Sequence, residues 1–132
     1  MIVTSHAGHI ETPEDLRHCL RAAWQADTSI LPDQWSRSNP ALGQCAITAL
    51  VVQDFFGGDL LRGRIVGGTH YWNRLPNGQE VDLTAEQFEN APIISEVESR
   101  SRAYVLSYPA TMARYNRLRE NLSTLAFQVA LT

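Results

Sequence analysis

The stretch that decides the fold is GGTHYWNRLPNGQEVDLT, which spans Gly67–Thr84. It contains two strand-like segments, Thr69–Leu75 and Gln79–Leu83, separated by a Pro-Asn-Gly turn sequence. Such segments on either side of a glycine-containing turn predict an antiparallel β-hairpin. One strand carries His70 and the other carries Asp82, so the hairpin sets an imidazole and a carboxylate on neighbouring strands.

The type of turn decides whether Asp82 lies on the same face of the hairpin as His70. A two-residue type I′ loop at the Asn-Gly pair would place Asn73 opposite Asp82, and Asp82 on the other face. The proline at Pro76 favours instead a type I turn followed by a left-handed glycine, which is the three-residue hairpin with a G1 bulge. That register pairs Trp72 with Asp82 and makes Asp82 a diagonal neighbour of His70, about 7–8 Å away between backbone positions. The sequence therefore predicts an Asp–His pair.

Upstream of the hairpin, the sequence CAITALVVQDFF predicts a helix that is apolar on nearly every side. The helix begins near Gly43 or Gln44 and ends at Phe56, where the pair Gly57-Gly58 supplies a C-cap. A helix that is apolar all round is a buried one. Cys45 stands at its start.

Two further helices flank this centre. The sequence Thr12-Pro13-Glu14-Asp15 is typical of a helix start, and that helix runs to about Trp24. The tail from Pro109 predicts a long helix, with apolar residues three or four apart at Met112, Tyr115, Leu118, Leu122, Leu125 and Val129. The remaining segments are an irregular connection over Asp27–Leu42, a strand over Leu60–Val66, a short helix start at Thr84 and a strand over Ala103–Ser107. This order of elements predicts an α+β fold in which the buried helix packs on a small antiparallel sheet.

The composition indicates one globular domain covering residues 1–132. Hydrophobic residues make up 44% of the chain and charged residues 19%, which is typical of a folded protein. The net charge of −3 and the lack of a dense basic run argue against a nucleic-acid partner. The arginines at 100, 102, 114, 117 and 119 are expected to lie on solvated faces.

The N-terminal sequence has no basic start followed by an apolar stretch, so no secretory signal is expected. The longest apolar stretch is too short and too polar to span a bilayer, so we expect no membrane partner and a cytoplasmic location. In that reducing compartment Cys19 and Cys45 are expected to be free thiols. Cys19 lies on the apolar face of an amphipathic helix and is expected to be structural. Exposed apolar surface on the terminal helices would suit a homodimer.

Cys45 is the candidate nucleophile. A helix N-terminus favours negative charge, and therefore a thiolate, through its free N–H groups and its dipole. An imidazolium at His70 would favour the thiolate further, and Asp82 would fix the tautomer of the imidazole. The backbone N–H of Cys45, together with the side chain of Gln44 or Asn39, could bind an oxyanion.

The competing interpretation is that Cys45 belongs to the core, because free cysteine is among the most buried residue types. Trp72 and Trp35 are candidates for pocket walls, but core packing explains both equally well, since tryptophan buries a large area wherever it lies. The position of Cys45 before an all-round apolar helix, with His70 and Asp82 downstream, favours the catalytic interpretation.

The same residues resemble a known pattern. Cys45 opening a buried helix, His70 with Trp72 on a strand, and Asp82 with Thr84 on the next strand resemble the transglutaminase-like core of the papain-like superfamily. More closely, the segments GQCA, QDFFGG, HYWNRL and DLT resemble the small bacterial YunG-like family, over residues 35–88.

The resemblance to the superfamily implies attack by a thiolate on an amide or ester carbonyl, which leads to hydrolysis, deamidation or acyl transfer without a cofactor. Asn39 stands six residues before Cys45, where papain-like peptidases place an oxyanion-hole glutamine. This departure leaves the second oxyanion donor open. The resemblance to the YunG-like family implies the fold rather than an activity.

The leading hypothesis is thus an enzyme that acts on an amide or ester bond of a peptide, a protein or a small amide. Cys45 would be the nucleophile, His70 the base and then the acid, and Asp82 the orienting group. One alternative is a non-catalytic domain of the same fold that binds a peptide or protein partner. A zinc site built from these three residues is a weaker alternative, because no second cysteine or histidine lies at close spacing; no metal is expected.

Overall fold

The computed structural model describes residues 10–131, and the side chains of residues 10–125. Its fold is α+β, as predicted. The elements in chain order are α1 (Pro13–Ala23), α2 (Cys45–Phe56), β1 (Asp59–Ile65), β2 (Gly68–Arg74), β3 (Glu80–Val81), β4 (Ser95–Arg100), α3 (Arg102–Leu106) and α4 (Pro109–Leu131). Short 3-10 turns occupy Ala26–Thr28 and Ala85–Gln87.

The four strands form an antiparallel sheet in the order β3-β2-β1-β4, and the hairpin between β2 and β3 has the register with the G1 bulge. The N–H of Leu75 donates to the carbonyl of Gln79 over 2.7 Å, and the N–H of Gly78 donates to the carbonyl of Leu75 over 2.8 Å. Gly78 has φ +92°, the left-handed conformation that this turn requires. Asn73 lies opposite Val81 in the ladder, so the predicted register is confirmed.

Helix α1 begins with a complete capping box. The hydroxyl of Thr12 accepts from the N–H of Asp15 over 3.1 Å, and the carboxylate of Asp15 accepts from the N–H of Thr12 over 3.0 Å. The helix ends at Ala23, with Trp24 as its C-cap. Both ends agree with the prediction, because a cap is a local arrangement that neighbouring residues determine by themselves.

Helix α2 is the buried element at the centre of the fold, and Gly57 caps its C-terminus with φ +76°. Its residues Ile47 to Val52 are all buried. Asn73 of β2 donates from Nδ2 to the carbonyl of Ala49 over 2.9 Å, so this face of β2 packs directly on α2. A hydrophobic core cluster surrounds the helix and includes Leu16, Leu20, Trp24, Leu50, Leu60, Tyr115 and Leu118.

The strand predicted over Ala103–Ser107 is wrong, because that segment forms α3. The side chain of Ser101 accepts from the N–H of Tyr104 over 3.0 Å and caps a helix there. The strand lies just before it, as β4, at the edge of the sheet. The β4 sequence SEVESR is exposed along most of its length, so it lacks the apolar alternation that reveals a half-buried strand.

Helix α4 packs along α1 and α2 through the predicted stripe. Tyr115 and Leu118 are buried, and Leu122 and Leu125 pack against the core, whereas Met112 is 39% exposed. The side chain of Val129 lies outside the described residues. Within residues 10–131, no helix has the length and apolar character needed to cross a bilayer. The prediction about a secretory signal concerns residues 1–9, which also lie outside the described part of the chain.

Candidate functional site

The N-terminus of α2 is shaped by a glycine that no other residue could replace without strain. Gly43 has φ +75°, and a Cβ added there would lie 2.3 Å from the hydroxyl of Ser29. That hydroxyl donates to the carbonyl of Leu42 over 2.7 Å, while the carbonyl of Gly43 accepts from the N–H of Ile30 over 3.0 Å. The connection before α2 is therefore fastened to its start, and Cys45 is the first helical residue.

The free end of α2 presents backbone donors beside Cys45. The N–H of Thr48 donates to the carbonyl of Gln44 over 3.0 Å, so the N–H groups of residues 45–47 precede the first bond of the helix. Gln44 is the N-cap, and its side chain makes no capping hydrogen bond. Cys45 is half-buried and carries a free thiol. This helix end favours negative charge.

The structure brings His70 and Asp82 together. Nε2 of His70 donates to Oδ2 of Asp82 over 2.6 Å, and only 1% of the His70 side chain is exposed. The other carboxylate oxygen of Asp82 accepts from the N–H of Thr84 over 3.2 Å and from its hydroxyl over 3.3 Å. The carboxylate is therefore fixed on both sides, and it can hold the imidazole in one orientation.

The imidazole of His70 lies between Asp82 and Cys45. Burial lowers the pKa of His70, but hydrogen bonds to Asp82 and Cys45, and the negative charge of both, outweigh it and raise the pKa from 6.5 to about 9. Nε2 is the nitrogen that faces Asp82, so Nδ1 is the nitrogen left for Cys45. The raised pKa favours the charged form of the imidazole, in which both nitrogens are donors.

Two aromatic rings hold His70 in place. Trp72 stacks beside the imidazole with 5.8 Å between ring centroids, and Phe88 meets it edge-on at 5.0 Å. The indole N–H of Trp72 in turn donates to the carboxylate of Glu80 over 2.9 Å. Trp72 thus supports the imidazole rather than lining the cavity beside Cys45.

Gln87 connects the two halves of the site, and sequence reasoning missed it. Its amide nitrogen donates to the hydroxyl of Thr84 over 3.2 Å, and its amide oxygen accepts from the N–H of Gly43 over 3.3 Å. The segment that follows Asp82 is thereby joined to the connection that precedes Cys45. The only signal in the sequence was the short helix start at Thr84, which gives no information about this partner.

The side chains of Gln44 and Asn39 do not occupy the positions expected of oxyanion donors. Gln44 is fully buried, and its amide nitrogen donates to the carbonyl of Gln25 over 3.1 Å. The amide nitrogen of Asn39 donates to the carbonyl of Gln87 over 3.3 Å. Both amides are engaged with backbone carbonyls, whereas the N–H groups at the start of α2 lie beside Cys45.

Trp35 is also absent from the walls of the cavity beside Cys45. Its indole N–H donates to the carbonyl of Pro40 over 2.9 Å, and the guanidinium of Arg37 lies over its ring at 4.8 Å. These contacts make it a support for the long connection between α1 and α2. Core packing, the simpler of the two interpretations of the tryptophans, fits Trp72, which is buried, whereas Trp35 is half-buried on the connection.

A cavity of about 170 Å³ opens beside Cys45. Residues from four parts of the chain line it, namely Ile30, Gly43, Cys45, Ala46, Ile47, Thr69, Tyr71, Thr111 and Arg114. Its walls combine an apolar side from α2 with hydroxyls from β2 and α4. The guanidinium of Arg114 is its cationic group.

The second cysteine lies apart from this site. Cys19 is buried in α1, and burial together with the charge of Asp15 raises the pKa of its thiol to about 11. Both cysteines are free, as predicted. In the part of the chain that the structure describes, no group of three or more His, Cys, Asp and Glu side chains is arranged to hold a metal ion.

Comparison with known proteins agrees with the segments quoted from the sequence. The family model described as YunG protein matches residues 12–126. The chain is also 35% identical over 112 residues to "Uncharacterized protein YunG" of Bacillus subtilis (strain 168), a match that covers 83% of this chain and 90% of that protein. No solved structure matches the chain. The family match extends from α1 into α4 and includes every residue of the site, so this chain belongs to the YunG family.

Proposed function

We propose that this protein is a cysteine-dependent enzyme that acts on an amide or ester bond. Cys45 is the nucleophile, His70 is the acid and base, and Asp82 orients His70. The observation that carries the proposal is the buried imidazole of His70, which bonds to Asp82 over 2.6 Å and whose pKa is raised by Asp82 and Cys45 together. A buried charge is costly unless it is paired, so an imidazolium in this position calls for a partner on each nitrogen.

The relation to the transglutaminase-like core of the papain-like superfamily belongs to this proposal. It is supported by the order Cys, His, Asp along the chain, by a cysteine that opens a buried helix, and by the packing of that helix on an antiparallel sheet. Folds of this kind host unrelated functions, so the proposal rests on the side chains of the site rather than on the fold.

The chemistry begins with a thiolate at Cys45 and an imidazolium at His70. The thiolate sulfur attacks the carbonyl carbon, and the carbonyl oxygen becomes an oxyanion, which the N–H groups at the start of α2 stabilise. His70 then gives a proton to the leaving amine or alkoxide, and an acyl thioester remains on Cys45. Neutral His70 next takes a proton from water, or from an acceptor amine, which attacks the thioester and releases the thiolate. Asp82 keeps Nε2 protonated, so Nδ1 faces the reacting atoms.

The test measures the rate at which iodoacetamide labels Cys45 at neutral pH, in a Cys19→Ala background that leaves one thiol. We expect fast labelling, and a loss of about tenfold or more in His70→Ala because the imidazolium that stabilises the thiolate is gone. Glu80→Gln is the matched control, since it removes a nearby negative charge but keeps an amide oxygen that can accept from the indole of Trp72. Amide and ester substrates would then be screened by the mass of the acyl-enzyme.

Slow labelling that requires alkaline pH and does not depend on His70 would contradict the proposal. The protein would then be a domain that keeps this fold and binds a peptide or protein partner without turnover.

A further inference from the structure

We propose that the cavity beside Cys45 recognises a carboxylate, and that Arg114 binds it. The substrate of the enzyme is then a small amide or ester that carries a carboxylate near the scissile bond. That the ligand is a substrate rests on the proposed function, but the binding of a carboxylate can be tested without it.

The first observation is that Arg114 lacks an acidic partner within the described residues. All eleven basic residues of the chain are arginines. Ion pairs with Asp or Glu engage nine of them, at positions 17, 21, 62, 64, 74, 100, 102, 117 and 119. Of the other two, Arg37 donates to the carbonyl of Arg21 and lies over an indole, which leaves Arg114.

The second observation is that Arg114 is partly buried, contrary to the solvated position expected from the sequence. Its Nε is buried and has no hydrogen-bond partner. Its one hydrogen bond to a side chain runs from Nη2 to the hydroxyl of Thr111 over 3.4 Å, which is long. Burial lowers the pKa of Arg114, and the charge of Cys45 acts in the opposite direction. A partly buried guanidinium that has no carboxylate partner would be stabilised by a bound carboxylate.

The third observation is the shape and lining of the cavity. Its volume of about 170 Å³ is smaller than the roughly 300–1,000 Å³ of pockets for drug-sized ligands, and it suits one small group. The hydroxyls of Thr69, Tyr71 and Thr111 line it together with Arg114. A planar guanidinium matches the two oxygens of a carboxylate, and neighbouring hydroxyls can donate to the same oxygens.

A carboxylate bound to Arg114 would lie in the same cavity as the sulfur of Cys45. Ile30, Ala46 and Ile47 also line the cavity, and their apolar side chains would suit the short carbon skeleton that links the carboxylate to the reacting carbonyl. The terminal carboxylate of a peptide and the side chain of an acidic residue share this chemistry.

The experiment compares two alkylating agents of nearly equal size, iodoacetate and iodoacetamide, on Cys45 in the Cys19→Ala background. We expect the ratio of the iodoacetate rate to the iodoacetamide rate to fall about tenfold in Arg114→Gln, because only iodoacetate carries the carboxylate that Arg114 binds. Arg117→Gln is the matched control, since Arg117 lies on the same helix and pairs with Asp27 at the surface. It should leave the ratio unchanged.

An equal loss of both rates in Arg114→Gln would overturn the inference, because Arg114 would then act on the thiolate rather than on the ligand. An unchanged ratio would overturn it as well. Suppose that iodoacetamide labels Cys45 fast and that this rate falls in His70→Ala, but that the ratio of the two rates does not change in Arg114→Gln. The inference then fails and the proposed function stands.

If Cys45 is inert to both agents, the proposed function fails and binding still decides the inference. N-Acetylglycine and its amide would be titrated against the protein by NMR, and we expect shifts at residues 45–47 with the acid only. Those shifts should disappear in Arg114→Gln and persist in Arg117→Gln. N-Acetylaspartate amide, titrated in parallel, distinguishes a side-chain carboxylate from a terminal one. Equal binding of acid and amide to the wild-type protein would contradict the inference.

Discussion

At the scale of single residues, the unusual feature is an almost fully buried histidine whose neighbours favour its charged form. The pairing of His70 with Asp82 and Cys45 overcomes the cost of burial and raises the pKa of His70 to about 9. Since the charged form is favoured in the folded state, the pair stabilises the fold fully at pH values below about 6.5, the pKa of an unperturbed histidine. This stabilisation is lost as the pH rises from about 6.5 to 9.

We therefore expect the NMR titration of the His70 ring to have a midpoint near pH 9 in the wild-type protein. Asp82→Asn should lower that midpoint, because it removes the carboxylate that favours the imidazolium, whereas Glu80→Gln should change it little. The free energy of unfolding should fall between pH 6.5 and 9 in the wild-type protein and much less in His70→Gln. A His70 midpoint at or below 6.5 would show that the imidazole is neutral in the folded protein.

At the scale of elements, the segment between β3 and β4 links the hairpin that carries His70 to the start of α2, where Cys45 lies. Asp82 ends the ladder, Thr84 holds its carboxylate, and Gln87 reaches the N–H of Gly43 just before α2. The alternation of side chains along β2 cannot by itself bring His70 to Cys45. The segment joins these two parts of the chain through the amide side chain of Gln87 and through its carbonyl, which accepts from Asn39.

We expect Gln87→Ala to slow the labelling of Cys45 by iodoacetamide several-fold and to lower the free energy of unfolding by about 1–2 kcal/mol, because two hydrogen bonds lose their partner. Glu86→Ala, at the neighbouring position, breaks ion pairs with Arg17 and Arg21 that face away from the site. It should leave the labelling rate unchanged. Equal labelling rates in Gln87→Ala and the wild-type protein would show that this bridge does not position the site.

Most of the elements and the pairing of Asp82 with His70 could be predicted because local chemistry determines them, whereas β4 and α3 could not. Thr12 caps a helix, Pro76 with Gly78 selects a turn, and the turn fixes the register. The partners of Gln44 and Asn39 could not be predicted, since an amide side chain bonds to whichever carbonyl the tertiary fold brings near. Amide residues close to a cysteine resemble oxyanion donors in sequence whether or not they face it.

At the scale of the whole molecule, α4 connects the core to the cavity beside Cys45. Its residues Tyr115 and Leu118 pack into the core around α2, and Arg114 and Thr111 reach the cavity from the same helix. Asp54, near the end of α2, accepts from Tyr115 over 2.6 Å and from Arg119 over 2.8 Å. The sequence predicted the helix but not its role, because periodicity identifies the face that packs and gives no information about what it packs against.

We expect Leu118→Ala to lower the free energy of unfolding by about 2–4 kcal/mol, because it leaves a void where α4 meets the core. Met112→Ala, on the exposed side of the same helix, should change it by less than about 0.5 kcal/mol. Denaturant unfolding of the two variants measures both values. Similar losses in both variants would contradict this account of how α4 packs.

The turn that closes the hairpin makes an exposed proline a position at which a substitution could abolish the function. Pro76 touches neither Cys45, His70 nor Asp82, and the Asn-Gly pair after it is the preferred sequence of the tighter loop that the proline disfavours. Pro76→Val would permit the shift to that loop, which would carry Asp82 to the other face of the hairpin. The midpoint of the His70 titration would then fall towards the value expected in Asp82→Asn. An unchanged midpoint would show that other contacts hold the register. A codon change at a surface position, with every functional side chain intact, would then have the phenotype of a null allele.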